Sequence, residues 1–139
     1  MNPGSVFFDT AFVFNDGETG EKLFVVLGAE KGTVVVAKTT SQAYGKGINY
    51  GCQPNDRFHN FFLPQNSCYL KKSTWVCLNE FYELNQSELF QKKFSGIVRH
   101  MFDISPAITR EIQDCALQSE DISLRQEGLV SSCLVDLNC

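Results

Sequence analysis

Short apolar runs dominate the first half of the chain, and their composition predicts strands rather than helices. Val, Phe and Leu are concentrated in runs that polar or Gly-containing stretches separate, and these runs cover residues 5–14, 23–30, 33–41 and 57–63. Branched and aromatic side chains fit a pleated sheet, and polar stretches with Gly mark turns. Residues 15–22 are polar, contain two Gly and predict a hairpin between the first two strands.

Between the third and fourth strands, residues 42–56 show no regular pattern. Three Gly, one Pro and scattered polar side chains occupy this stretch. Long loops without a pattern are frequently mobile and often contact ligands. We expect this loop to be mobile in the free protein and to order Tyr44, Lys46 and Arg57 around a ligand or a partner segment.

Residues 74–79 predict a further strand with an unusual distribution of side chains. Because side chains alternate along a strand, Trp75, Cys77 and Asn79 share one face. This set is too polar for an ordinary core and too apolar for an ordinary solvent face. The face is therefore a candidate functional surface. Trp75 is either a platform on which a base stacks or a core or dimer-interface residue.

Two capping patterns predict helices in the second half. Asn85 with Glu88 three residues later fits a capping box and begins a short helix through about residue 94. Ser105 followed by Pro106 begins a second helix. That helix extends through about residue 119, since apolar residues recur at helical spacing at Ile108, Ile112, Cys115 and Ala116.

The order of these elements predicts the fold class. Residues 95–105 fit either a strand or a helix broken at Gly96, and residues 120–139 form a polar tail with weak apolar content. Several short strands followed by helices predict an α+β protein that is mainly β, with a small barrel and helices packed at one end. A length of 139 residues suits a single domain.

Composition narrows the class of protein. Hydrophobic residues make up 43% and charged residues 20%, which is typical of a globular chain. No apolar run reaches the roughly 18 residues of a membrane helix, and the N-terminus lacks the basic region of a secretory signal, so we expect a cytoplasmic protein. The net charge is −4, with residues 1–72 near +1 and residues 73–139 near −5. A nucleic-acid site would therefore need a local basic patch in the first half.

Six cysteines are present, and none form a Cys-x-x-Cys pair, so we expect no metal site of the zinc-knuckle kind. Without a secretion signal we also expect no disulfide framework. Cys77 and Cys115 are predicted to be small buried apolar groups. Cys133 and Cys139 lie in the polar tail and are predicted to be exposed thiols.

Three stretches, taken in order, resemble the PemK/MazF toxin family. They are "GSVFFDTAFVFNDGETGEKLFVVLG" at 4–28, "VVVAKTTSQ" at 34–42 and "LKKSTWVCLNEFYELNQSEL" at 70–89. The resemblance covers most of residues 4–120. It implies a homodimer and, over residues 1–120, an SH3-like small β-barrel of the PemK/MazF/CcdB type with a C-terminal helix. Residues 121–139 then remain as the polar tail outside this domain.

The resemblance also implies a chemistry, and this chain departs from it. Many family members cut single-stranded RNA without a metal by using an Arg and an Asp on the strand that matches residues 75–79. Cys77 and Asn79 stand at those positions here. A thiol cannot replace a guanidinium fork, and an amide exchanges no proton near neutral pH. Lys22 replaces the family's Arg before the second strand, whereas Thr40 and Ser41 match the family.

The resemblance therefore implies a toxin-like component of a toxin–antitoxin module that binds RNA or a protein, with weak or absent ribonuclease activity. Its expected partners are an antitoxin protein, single-stranded RNA and a second copy of the chain, with no cofactor, metal or membrane. One alternative is an active metal-independent endoribonuclease working through substituted residues. The candidate catalytic set is then Lys22, Thr40, Ser41, His59, Cys77 and Asn79. The other alternative is a CcdB-like protein-binding module.

Single residues in this set have competing interpretations. Cys77 is either a nucleophile activated by a nearby cation or a buried structural thiol. His59 and His100 each titrate near neutral pH and act either as an acid or base or as ordinary structural residues. Lys71 and Lys72 are either a solvated turn or phosphate contacts beside the altered strand.

Overall fold

The computed structural model describes residues 1–43, 45–67 and 70–136. Over these ranges the chain forms eight strands and three helices. In chain order they are β1 (Ser5–Val13), β2 (Thr19–Glu30), β3 (Thr33–Thr40), β4 (Gly51–Gln53), β5 (Asn60–Leu63), β6 (Thr74–Cys77), β7 (Tyr82–Asn85), α1 (Gln86–Phe94), β8 (Val98–Asp103), α2 (Pro106–Leu117) and α3 (Leu124–Ser132).

All strand pairs within the described residues are antiparallel, and the strands form one sheet in the order β4-β5-β6-β3-β2-β1-β8. β3 has two partners on the same edge, because β7 pairs with its first half and β6 with its last residues, Thr39 and Thr40. The sheet is not closed. The predicted α+β class with a predominance of strands is confirmed.

Both faces of the sheet are buried along β2 and β3, which explains the continuous apolar runs of these strands. Along β2, Val25 and Leu27 belong to a core beneath α2 and α3, whereas Phe24 and Val26 belong to a second core on the opposite face. Strands covered on both faces lose the simple alternation of polar and apolar residues. The second core is rich in stacked and edge-on rings, such as Phe12 against Tyr82.

The predicted helix starts are confirmed. Asn85 caps α1, and its side-chain oxygen accepts a hydrogen bond from the Glu88 amide at 3.1 Å. Ser105 caps α2 through the Ile108 amide, with Pro106 at the first turn. These bonds satisfy backbone donors that the first helical turn would otherwise leave unpaired.

The predicted polar tail is wrong over α3. Ser123 and Gln126 form a capping box that begins this helix, and Leu129 and Val130 are buried in the core beneath α2 and α3. Gly28 permits the close approach, since a Cβ there would lie 3.0 Å from Leu129 Cδ2. Too few apolar positions repeat along α3 for the sequence pattern to reveal it.

The structure also tests the expectations for residues 95–105, for the loop after β3 and for Cys133. Residues 98–103 form a strand, which decides between the two interpretations of residues 95–105. β4 and β7 were not predicted, and β4 lies within the stretch that was expected to have no regular structure. Cys133 is half-buried rather than exposed, with its Sγ 3.4 Å from the Ala29 carbonyl, whereas Cys139 lies outside the described residues.

None of the helices in the described part of the chain has the length and apolar character needed to cross a membrane.

Candidate functional site

The strand face of Trp75 and Cys77 is sealed. Both side chains are only 5% exposed, because β6 lies between β5 and β3 and its Trp75 ring packs on Phe62 at 4.8 Å between ring centroids. The Trp75 indole N–H donates to the Gly47 carbonyl at 2.8 Å, so the segment after β3 covers this face. Trp75 is therefore a buried side chain, and the interpretation as an open stacking platform is wrong.

Asp56 fastens the covering segment to the sheet. Its Oδ2 accepts hydrogen bonds from the Gly47 amide at 2.8 Å and from Asn60 Nδ2 at 3.0 Å. The Lys46 ammonium and the Arg57 guanidinium both lie over the Phe58 ring. Tyr44 lies outside the described residues. The mobility expected of residues 42–56 remains a prediction.

The charges around Cys77 do not produce an activated nucleophile. Burial raises the pKa of the Cys77 thiol, although the Lys46, Lys38 and Lys22 ammonium groups act in the opposite direction. The reactive form of a cysteine is the thiolate, and reactive cysteines are partly exposed. Cys77 is therefore a buried neutral thiol, as predicted for a structural cysteine.

Lys38 and Glu80 form an ion pair beside Cys77 that the sequence analysis did not single out. Asn15 Nδ2 also donates to Glu80 at 3.0 Å. Burial alone would raise the pKa of Glu80, but the hydrogen bonds from Lys38 and Asn15 hold that pKa below its usual range. One feature of the sequence could have indicated that Lys38 belongs to the site. It precedes Thr40 by two positions and therefore lies on the same face of the strand.

Asn79 lies beyond β6 rather than on it. The strand ends at Cys77, and Asn79 is half-buried in the bend that follows. The predicted alternation therefore stops before Asn79, and the three-residue face expected from the sequence consists of Trp75 and Cys77 alone.

His59 lies on the opposite side of the sheet, next to a disulfide. Cys52 on β4 is bonded to Cys115 on α2, and His59 Nε2 lies 3.8 Å and 3.4 Å from their sulfurs. The expectation of no disulfide is wrong for this pair. Cys115 is buried as predicted, but as half of a bridge. Sequence spacing did not suggest the pair, because 63 residues separate the two cysteines and only the packing of α2 on β4 brings them together.

His100 is hydrogen-bonded to a carboxylate on the surface. Its Nε2 lies 2.8 Å from Asp103 Oδ1, which also accepts a hydrogen bond from Ser5 Oγ at 3.0 Å. The hydrogen bonds from His100 and Ser5 lower the pKa of Asp103. An edge-on contact with Phe7 further fixes the His100 ring, which is typical of a structural histidine.

An open cleft of about 940 Å³ brings together three of the predicted site residues. Lys22, Thr40 and Ser41 line it, together with Lys71 and Lys72 on the connection that leads to β6. Apolar side chains form most of the remaining wall, and they include Phe8, Leu23, Leu70, Met101 and Phe102. His59, Cys77 and Asn79 are not among the residues that line this cleft.

The lining suits an anionic ligand with apolar parts. Lys22, Lys71 and Lys72 supply three cations, against Glu21 as the acidic residue lining the cleft. Burial lowers the pKa of the Lys22 ammonium. The neighbouring Cys77 acts in the opposite direction, and the Lys38 ammonium acts in the same direction as burial. Thr40 Oγ1 accepts from the Gln42 amide and keeps its own proton to donate. Lysines and hydroxyl groups are common phosphate contacts, and aromatic walls are common base contacts.

No family model matches the chain, and comparison with curated proteins finds no match.

Proposed function

We propose that this chain is a PemK/MazF-like, toxin-like component of a toxin–antitoxin module, and that it binds single-stranded RNA in the cleft without cutting it efficiently. The cleft with its three lysines is the observation that carries the proposal. The antiparallel sheet with helices supports an SH3-like barrel of this type, although the sheet is not closed.

Local charge supports RNA as the ligand. The chain as a whole carries −4, so its overall field repels a polyanion. Lys71 and Lys72 are exposed, and Lys22 lies half-buried on the same cleft. This cluster is the local basic patch in the first half that a nucleic-acid site requires. Phe8 and Phe102 then offer apolar surface to unstacked bases.

The sealed Cys77 face supports binding without efficient cleavage. Attack by a 2′-hydroxyl needs a base, an acid and a cation for the developing phosphorane charge. At the positions where the resemblance places an Arg and an Asp, this chain has a buried neutral thiol and an amide. Loss of one preorganised stabilising group typically costs a factor of about 10²–10³ in rate.

A homodimer and an antitoxin belong to the same proposal. Phe90 and Phe94 on α1 are 48% and 98% exposed, and Met101 on β8 is 48% exposed. Exposed large apolar side chains of this kind are frequently covered by a protein partner. An acidic antitoxin segment would also be attracted by the lysines of the cleft.

The test compares two variants with the same change in charge. Lys71→Gln with Lys72→Gln removes two cleft cations, and Lys31→Gln with Lys93→Gln removes two exposed cations elsewhere. Fluorescence anisotropy with a short unstructured RNA measures affinity against salt. We expect the cleft variant to weaken binding and to reduce the slope of log K against log salt by about 1.4, since each phosphate contact on a single strand contributes about 0.7.

Equal weakening in both variants would mean that binding is diffuse, and the cleft proposal would fail. A time course of the same RNA in metal-free buffer tests cleavage. Efficient site-specific cutting by the unaltered protein would favour the endoribonuclease alternative instead. Absence of RNA binding together with a stable complex with a protein partner would favour the CcdB-like alternative.

A further inference from the structure

We propose that Cys52, His59 and Cys115 form a zinc site when the disulfide is reduced. This site is separate from the cleft, since none of the three residues lines it. Cys52 lies on β4, His59 immediately precedes β5, and Cys115 lies in the last turn of α2. Their two sulfurs and the His59 ring nitrogen all lie within 4.8 Å of one another.

The spacing fits tetrahedral coordination. With Zn–S near 2.3 Å and Zn–N near 2.0–2.1 Å, a tetrahedral zinc places a sulfur and a nitrogen about 3.6 Å apart. The observed distances from His59 Nε2 to the two sulfurs are 3.4 Å and 3.8 Å, on either side of that value. Reduction frees the two sulfurs to take the roughly 3.8 Å separation that zinc requires.

The surroundings also favour a cation and allow it to enter. Cys115 is buried, but Cys52 and His59 are half-buried, so solvent reaches one side of the cluster. The carbonyl end of α2 carries partial negative charge, and the last turn of α2 contains no basic residue. In the oxidised protein His59 Nε2 donates to the Cys115 carbonyl at 2.7 Å, so zinc binding replaces this hydrogen bond and moves the ring proton to Nδ1.

The donor set indicates the metal. Two thiolates and one imidazole suit Zn²⁺ rather than Mg²⁺ or Ca²⁺, which prefer oxygen ligands. Three protein ligands leave a fourth position for water or an external ligand. The absence of a Cys-x-x-Cys pair does not argue against such a site, because its ligands come from separate elements.

A dithiol reductant converts the Cys52–Cys115 disulfide into the zinc-binding form in a balanced reaction. The dithiol gives two electrons and two protons to the bridge, the S–S bond breaks, both sulfurs become thiols, and the reductant becomes a disulfide. Zinc then binds the two sulfurs as thiolates with release of both thiol protons, and His59 Nε2 binds as the neutral imidazole, its proton held on Nδ1. In both states β4 is held against α2, by a covalent bond in one and by the metal in the other.

The experiment uses the full chain, reduced with dithiothreitol, freed of reductant without oxygen and titrated with Co²⁺ as a spectroscopic probe. We expect one equivalent to bind, with thiolate charge-transfer and tetrahedral d–d bands that Zn²⁺ abolishes. Native mass spectrometry should then show one zinc per chain in place of two protons. The oxidised protein should show neither signal.

Variants separate this site from the other thiols. Cys52→Ser should abolish the cobalt bands, and His59→Gln should weaken binding by on the order of tenfold or more, since even outer-shell changes cost about 10–100-fold. Cys133→Ser removes a half-buried thiol elsewhere and should bind cobalt as the unaltered protein does. Circular dichroism checks that each variant is folded.

Three outcomes would overturn the proposal. They are a reduced protein that binds no stoichiometric metal, a Cys52→Ser variant that keeps the bands, and a bridge that dithiothreitol cannot open in the folded protein. As an independent measurement, zinc should raise the urea midpoint of the reduced protein and leave that of the oxidised protein unchanged.

Discussion

The Cys77 face and the cleft are neighbours, and Lys22 interacts with both, but they differ in almost every physical property. The Cys77 face lies inside the sheet, where the segment around Gly47 covers it. Its thiol is neutral. The cleft is open and is lined by three lysines, hydroxyl groups and apolar side chains.

The difference separates chemistry from binding. The position to which the resemblance assigns catalysis is part of the packed interior in this chain. Lys22, Thr40 and Ser41, which belong to the same candidate catalytic set, instead line an open surface. A protein arranged in this way is suited to hold an anionic strand and poorly suited to act on it, which is the basis of the proposed function.

The largest effect is expected from placing a charge on the sealed Cys77 face. Cys77→Arg would bury a guanidinium among Lys22, Lys38 and Lys46, where Glu80 is already paired with Lys38. We expect unfolding free energy to fall by about 3–5 kcal/mol, the cost of an uncompensated buried charge. Urea denaturation measures the change.

Cys77→Val is the matched control for this prediction. It alters shape without adding charge and should cost less than about 1.5 kcal/mol. If Cys77→Arg were as stable as Cys77→Val, the covering segment would open at low cost. The face would then be available for the chemistry that the resemblance implies.

The sequence was sufficient for features that depend on neighbouring residues. The strands at β1, β2 and β3 follow from apolar runs, and the caps at Asn85 and Ser105 follow from hydrogen bonds over three residues. The mainly β, α+β class follows from the order of those elements. Such features need no knowledge of tertiary contacts.

What the sequence missed depends on contacts between distant segments. The bridge from Cys52 to Cys115 and the cover that Gly47 places on Trp75 form only after the sheet has assembled. α3 packs closely on Gly28, a contact that its own weak pattern does not reveal. At the site, the resemblance identified three lining residues but not the burial that separates them from Cys77.

A smaller effect is expected from loosening the cover. Asp56→Ala removes the carboxylate that accepts from the Gly47 amide and from Asn60 Nδ2. Hydrogen bonds to a charged group are worth about 1.5–3 kcal/mol, and we expect a loss of stability in that range. The chain contains a single Trp, so acrylamide quenching of its fluorescence reports on Trp75 directly and should increase.

Asp16→Ala is the control for the cover, since Asp16 accepts one backbone hydrogen bond in the exposed turn before β2. Its quenching should match that of the unaltered protein. If Asp56→Ala also left the quenching unchanged, the cover would not depend on Asp56, and the seal over Cys77 would have another origin.

The smallest expected effect concerns the ion pair at the border of the two regions. The folded state lowers the pKa of Glu80, so its ionised form stabilises the protein above the pKa of the unfolded chain, and this contribution is lost as the pH falls. Glu80→Gln should cost about 1 kcal/mol near neutral pH, the upper range for a partly exposed pair. The difference from the unaltered protein should shrink as the pH falls below about 4.3, the usual pKa of Glu. Glu18→Gln, on the exposed turn before β2, should show no such dependence. If urea denaturation gave the same difference in unfolding free energy between Glu80→Gln and the unaltered protein at every pH, the contribution of Glu80 would come from packing and not from its charge.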